Sequence, residues 1–292
     1  MLKTHFLKTV LISAVISIVA TYLWVGNVRG SDRKQSVYER VINSGILRCG
    51  YFPEAPFTII DPNTGKKSGI AVEIAEKIAD ELNVKIEWVS AENFGALTED
   101  LRNGRYDAIC ASTFNMPRAG RIDYTIPYAY VPVFAYTQKG RQDFDGKLDQ
   151  LDWSKIYLAA IDGEGPTIAA QKRMPDAKFV VLPPASQLAE LLTTVVDKKA
   201  DMAFVIPSIF KQFDHYNPGK LQKVATDKPF YVFNVGFGLK PEEAGLKNVF
   251  DFIIRNMMTN GQLEALFKKY DPDGLLFQPE PLYQMTALKS PS

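Results

Sequence analysis

Two long β-rich runs, Tyr130 to Gln138 and Tyr231 to Leu239, constrain what this 292-residue chain can fold into. Short apolar runs and helical-period stretches alternate before the first run and again between the two. Strands are expected at Ile46–Gly50, Val84–Val89 and Tyr106–Ala111, then at Ile156–Ile161 and Phe179–Leu182. Between Gly69 and Leu82 the apolar positions Ile70, Ile74, Ile78 and Leu82 recur every four residues, one face of an amphipathic helix that Ser68 can cap and Asn83 can end. Further helices are expected at Val37–Asn43, Ala96–Arg102, Ser186–Val196, Leu246–Met258 and Gln262–Tyr270. The pattern implies an α/β protein of two open α/β domains, with the long runs as crossings between them. Domain one would be discontinuous, 37–138 plus 231–275; domain two would be 139–230, and 276–292 a C-terminal tail.

The charge balance argues against nucleic acid as a partner. Net charge is +1, and without the first 30 residues, which hold Lys3, Lys8 and Arg29 and no acid, 31 basic side chains face 33 acidic ones. The histidines are His5 and His215 and no zinc-type spacing occurs, so no metal or cofactor is expected. Cys49 and Cys110 both fall in predicted strands. They could be buried thiols or a cross-strand bridge, and buried thiols are the expectation, because free cysteine packs as a small hydrophobe. Thr9 to Val28 runs 20 residues without a charge behind Lys3 and Lys8. Residues 1–30 therefore read as a signal peptide or a membrane anchor. The length favours an anchor at 9–28, with the remainder exported by the positive-inside rule.

The most informative stretch is 104–128. After the Tyr106–Ala111 run come Ser112, Thr113 and Asn115, then Arg118. A loop leaving a strand's end in an open α/β sheet is where such folds bind ligands. The planar fork of an arginine can donate two parallel hydrogen bonds to a carboxylate there. Asp107, Arg118, Ile122-Asp123-Tyr124-Thr125 and Pro127-Tyr128 together resemble the signature of the type 3 family of bacterial extracellular solute-binding proteins. The resemblance covers roughly 37–275 and includes Gly69 to Ile74 and Lys199 to Ile206.

The resemblance implies a type II periplasmic binding-protein fold, with a ligand cleft between domains joined by two strands. It implies a periplasmic receptor that captures a carboxylate-bearing, amino-acid-like solute and delivers it to an ABC transporter permease, anchored to the inner membrane if residues 9–28 are not removed. Arg118, helped by Thr113 and Asn115, would hold the carboxylate, and Phe94 with Tyr51 or Phe52 would wall the ligand. Glu54 stands where the family carries an aromatic residue. Thr167, in the Asp162–Thr167 loop, would assist at a helix N-terminus, a natural anion site. Glu164 in that loop could meet a ligand ammonium or face water. The aspartate that in this family takes the α-ammonium is replaced at Ile206 or Pro207. An apolar residue cannot balance a buried ammonium. Glu54 or Glu164 then replaces it, or the ligand is not a simple α-amino acid. The alternatives are a dehydratase-like enzyme with Glu54 or Glu164 as general acid, and a ligand-sensing input protein. No nucleophile–base pair is visible, so a non-enzymatic protein is expected.

Overall fold

The computed structural model describes residues 13–21, 35–92, 96–113 and 120–279. Residues 1–36 and 37–292 are two compact units. In the first, residues 13–21 are helical and exposed. Among the described residues no helix is long and apolar enough to cross a membrane. The rest of the expected 9–28 segment lies outside them.

The second unit begins with α1 (Val37–Ser44), β1 (Ile46–Tyr51), a small hairpin of β2 (Ile59–Ile60) and β3 (Lys67–Ser68), and α2 (Ile70–Leu82). Then come β4 (Lys85–Ser90), α3 (Ala96–Arg102), β5 (Ala108–Thr113), β6 (Asp123–Tyr124) and the long β7 (Ala129–Gln138). Next follow β8 (Tyr157–Ile161), α4 (Gly165–Arg173), β9 (Lys178–Leu182), α5 (Leu188–Val196), β10 (Met202–Val205), α6 (Pro207–Tyr216) and β11 (Leu221–Lys223). The long β12 (Tyr231–Leu239), α7 (Ala244–Thr259) and α8 (Gln262–Tyr270) close the series.

Both halves of this unit carry the same strand order. In the first, parallel strands run β4-β1-β5, with β12 antiparallel beside β5. In the second they run β9-β8-β10, with β7 antiparallel beside β10. The long strands are shared. Ala129 to Val133 of β7 pairs with β12, and Phe134 to Thr137 pairs with β10. The two sheets are thus joined through β7 into one hydrogen-bonded path.

The first half shows how local chemistry sets the frame. Ile70, Ile74 and Ile78 of α2 are fully buried against the sheet. Asn83 ends the helix in the left-handed region, φ 54°. Its start differs from expectation: Gly69, not Ser68, is the N-cap, at φ 120°, and Ser68 belongs to β3. A Cβ at Gly69 would lie 2.4 Å from the Phe57 carbonyl oxygen. That closeness lets the first helical amides, of Ile70 and Ala71, donate to the Pro56 and Phe57 carbonyls at 3.0 and 3.1 Å.

Strand β5 starts at Ala108, two residues later than the sequence suggests, because the two residues before it have other partners. Tyr106 is buried and its hydroxyl donates to the Leu97 carbonyl at 2.5 Å. Its ring lies over Gly50, where a Cβ would come within 2.5 Å. The Asp107 carboxylate is buried and accepts from the Arg48 amide at 2.8 Å, the Arg48 guanidinium at 2.8 Å and the Arg40 guanidinium. Ser112 and Thr113 are consequently strand residues paired with Gly236 and Val235, not loop residues.

The cysteine expectation is corrected. Cys49 and Cys110 form a disulfide between adjacent strands β1 and β5, with Cα atoms 5.6 Å apart. Burial alone fits either form; strand adjacency, which sequence does not display, decides it. Cross-linking across 61 residues restricts the unfolded chain, a contribution of about 4 kcal/mol. Residues 276–279, placed in the tail by sequence, are docked: Phe277 exchanges two 2.9 Å backbone hydrogen bonds with Tyr130.

Replacing Asp107 should expose the cost of its arginines. Asp107→Ala leaves two partly buried guanidinium groups without their carboxylate and should lower stability by about 2–4 kcal/mol, read from urea unfolding.

Candidate functional site

In both halves the strand order reverses beside the first strand, between β1 and β5 and between β8 and β10. Open α/β sheets bind ligands outside the carboxyl ends of the strands at such reversals. The loops that leave these ends supply the site.

After β1 the chain forms a tight turn. The Glu54 N–H donates to the Thr58 carbonyl at 3.0 Å, and the Glu54 carbonyl accepts from the Phe57 and Thr58 amides at 2.9 Å. This turn is also the one whose carbonyls receive the amides of α2, so Glu54 is held on a fixed support. After β8, Gly163 turns the chain at φ 78° and Glu164 becomes the N-cap of α4. Its carboxylate accepts from both the Thr167 amide and the Thr167 hydroxyl at 2.9 Å. The same hydroxyl accepts from the Ile161 amide at 3.1 Å. After β10, Ile206 is the N-cap of α6, with Pro207 in its first turn.

These loops meet at a small cavity of about 40 Å³. Glu54 from the first half faces Glu164, Gly165 and Pro166 from the second. Its apolar walls come from Val131 and Phe233 on the crossing strands and from Leu188, Val205, Ile206 and Ile209. The described lining therefore carries two carboxylates and no basic side chain. Burial pushes the Glu54 carboxyl up from 4.5 to about 7. The phenol of buried Tyr128 is raised by burial first and then by the charge of Glu54.

Of the residues singled out from sequence, Glu54 and Glu164 are brought together. Thr167 lies beside them, but its hydroxyl is engaged with Glu164 and Ile161. The anion-binding end of α4 is thus occupied by the chain's own carboxylate. Tyr51 is buried edge-on against Trp88, centroids 5.9 Å apart, and does not line the cavity. Phe52 is half-buried and lines an adjoining groove. Thr113 ends β5. Phe94, Asn115 and Arg118 lie outside the described residues. Sequence reasoning did not single out Val131, Phe233, Leu188 or Ile209, whose apolar side chains carry no signal that separates a wall from a core.

The raised carboxyl has a stability consequence. The folded state binds the Glu54 proton more tightly than the unfolded chain does, so stability falls as pH rises from about 4.5 to about 7 and then levels. Glu54→Gln should remove this loss. The variant should be more stable than the parent at pH 8, by on the order of 2 kcal/mol, and match it near pH 4, as read from urea midpoints at both values.

The model of the bacterial extracellular solute-binding proteins, family 3, matches residues 47–272. The chain is 24% identical over 225 residues to the amino-acid-binding protein AabA of Dichelobacter nodosus, covering 76% of this chain and 86% of that protein. The crystal structure of the ancestral amino acid-binding protein AncCDT-1, a precursor of cyclohexadienyl dehydratase, superposes with a TM-score of 0.68 at 22% identity, over 81% of this chain and 99% of that one. The solute receptor for L-cysteine of Neisseria gonorrhoeae gives 0.67 at 23% identity, over 81% and 93%. With a family match over most of its length, this chain belongs to the bacterial extracellular solute-binding proteins, family 3.

Proposed function

We propose that the protein is an extracytoplasmic receptor for a small amino-acid-like solute, which it passes to an ABC transporter permease. The observation that carries the reading is Glu54. Its carboxyl lies after the carboxyl end of β1, in a largely apolar cleft, with burial as the cause of its raised pKa and no cation among the described lining residues offsetting it. A ligand ammonium fits that position and substitutes for the charge pair lost at Ile206. Arg118, with Thr113 and Asn115, holds the ligand carboxylate, and Phe94 and Phe52 wall the rest. Domain one (37–138 plus 231–275) and domain two (139–230) close over the ligand by bending in β7 and β12. Relatives named as amino-acid-binding support the solute class. The Cys49–Cys110 disulfide supports an oxidising compartment such as the periplasm. Residues 1–30 direct export, and residues 9–28 tether the protein to the inner membrane when they are retained.

Calorimetric titration of the full chain with a panel of amino acids tests this. One of them should bind, and Arg118→Ala should weaken it at least a hundredfold. Because the ammonium requires ionised Glu54, affinity should fall about tenfold per pH unit below about 7 and level above it. The absence of any heat across the panel, or unchanged binding by Arg118→Ala, overturns the reading.

Glu54 also favours one second reading. A cleft carboxyl that titrates near neutrality suits a general acid, and a structural neighbour is the precursor of a dehydratase. Under that reading prephenate or arogenate is turned over and Glu54→Gln abolishes the activity; under the receptor reading neither compound is consumed.

A further inference from the structure

Two side-chain hydroxyls at the Glu54 turn are buried and have no hydrogen-bond partner among the described residues: Thr58 Oγ1 and the Tyr128 phenol oxygen. A buried polar group left unpaired is costly, so each calls for an acceptor. Thr58 stands directly opposite Glu54 in an antiparallel bridge, with backbone hydrogen bonds of 3.0 and 2.9 Å exchanged between them. Residues opposed in this way project from one face, with Cβ atoms about 5 Å apart. Tyr128 reaches the same turn from the position before β7. Its ring packs edge-on against Phe57, centroids 6.3 Å apart, and its amide donates to the Val235 carbonyl at 2.9 Å. Its phenol is raised by burial and then by the Glu54 charge, so the two groups lie within electrostatic reach.

We propose that Thr58 and Tyr128 are positioning residues for Glu54: when its carboxyl loses the proton, their hydroxyls donate to the carboxylate and hold it for a ligand ammonium. The ammonium rests on the receptor reading; the two hydrogen bonds do not. An ionised carboxylate accepts only, with room for about four hydrogen bonds, and a hydroxyl can always donate. The other titratable groups of the described lining are Glu164 on α4 and, in the adjoining groove, Tyr216 on α6. Glu164 already accepts from the Thr167 amide and hydroxyl. The described lining thus gives Glu54 no basic side chain, and the two hydroxyls are the buried donors the chain holds at its turn. Hydrogen bonds to the charged form favour it, which offsets part of the burial that disfavours it.

The test uses Tyr128→Phe and Thr58→Val in the full chain, each of which deletes one hydroxyl and keeps the side-chain shape. The Glu54 carboxyl is titrated by carbon NMR without ligand, its signal assigned by its loss in Glu54→Gln. Each variant should raise the Glu54 midpoint by about one pH unit. Below the parent's midpoint the variants should melt no lower than the parent, because the deleted hydroxyl is unpaired there. For an amino acid that binds, affinity should fall about tenfold one pH unit below the parent's midpoint. Two units above the variant's midpoint it should change less than twofold, because Glu54 is then ionised in both proteins. A midpoint unmoved in both variants overturns the inference, as does an affinity loss equal at the two pH values, and either leaves the receptor reading standing. A raised midpoint with no heat from the amino-acid panel overturns the receptor reading and leaves the two hydrogen bonds standing.

Discussion

The pairing of β7 with β12 is the interaction on which the rest of the structure depends. Five residue pairs, from Tyr231 opposite Val133 to Val235 opposite Ala129, join the two crossing strands where the halves meet. Each strand then continues into a different sheet, β7 beside β10 and β12 beside β5. The buried side chains along this ribbon, Val131, Val133, Phe233 and Val235, belong to one apolar cluster that runs through both halves. Breaking the ribbon would therefore cost backbone hydrogen bonds and core packing at once. The Tyr130–Phe277 bridge reinforces it by tying the segment after α8 to β7.

From that ribbon the position of the cleft follows. Each half repeats one strand order, and in each the crossing strand lies beside the third parallel strand. The carboxyl ends of β1, β8 and β10 then deliver their loops to one space. The disulfide sits just below this point, two residues before the end of β1, and holds it against β5. The tie between the 54–58 turn and the first amides of α2 works in the same direction. Glu54 is thus presented by a hydrogen-bonded turn.

The chemistry of the cleft departs from its family's expected pattern in a coherent way. On the family resemblance, Ile206 or Pro207 stands where an ammonium-binding acid is expected and Glu54 where an aromatic residue is expected; Ile206 and Glu54 both line the cavity. Glu164 fills the N-terminus of α4 with its own carboxylate, so that helix end offers less to a ligand anion. Negative charge in this cleft lies at Glu54 and Glu164 rather than at the end of β10. Burial disfavours the charged form of a carboxyl, and it is the cause of the raised Glu54 pKa.

The alternation of strand and helix, the two crossing runs and the face of α2 were legible in the sequence because periodicity and chain-reversing residues are local properties. Ile70, Ile74 and Ile78 are buried, and Asn83 and Gly261 sit where the helical pattern breaks. The acids at Glu54 and Glu164 were also visible, as charges in Gly/Pro-rich loops after strands. What sequence did not decide depended on which strand lies beside which. Cys49 and Cys110 read as two buried thiols until β1 and β5 became neighbours. The edge-on packing of Tyr51 against Trp88 of β4 was likewise not visible in the sequence. Phe233 and Ile209 were not singled out, since an apolar side chain looks the same in sequence whether it lines a cavity or packs in a core. The sequence by itself determined the elements and the charged groups available. The tertiary structure alone decided which of them share a cleft, because proximity between residues more than a hundred positions apart is set by strand order, and no local pattern encodes it.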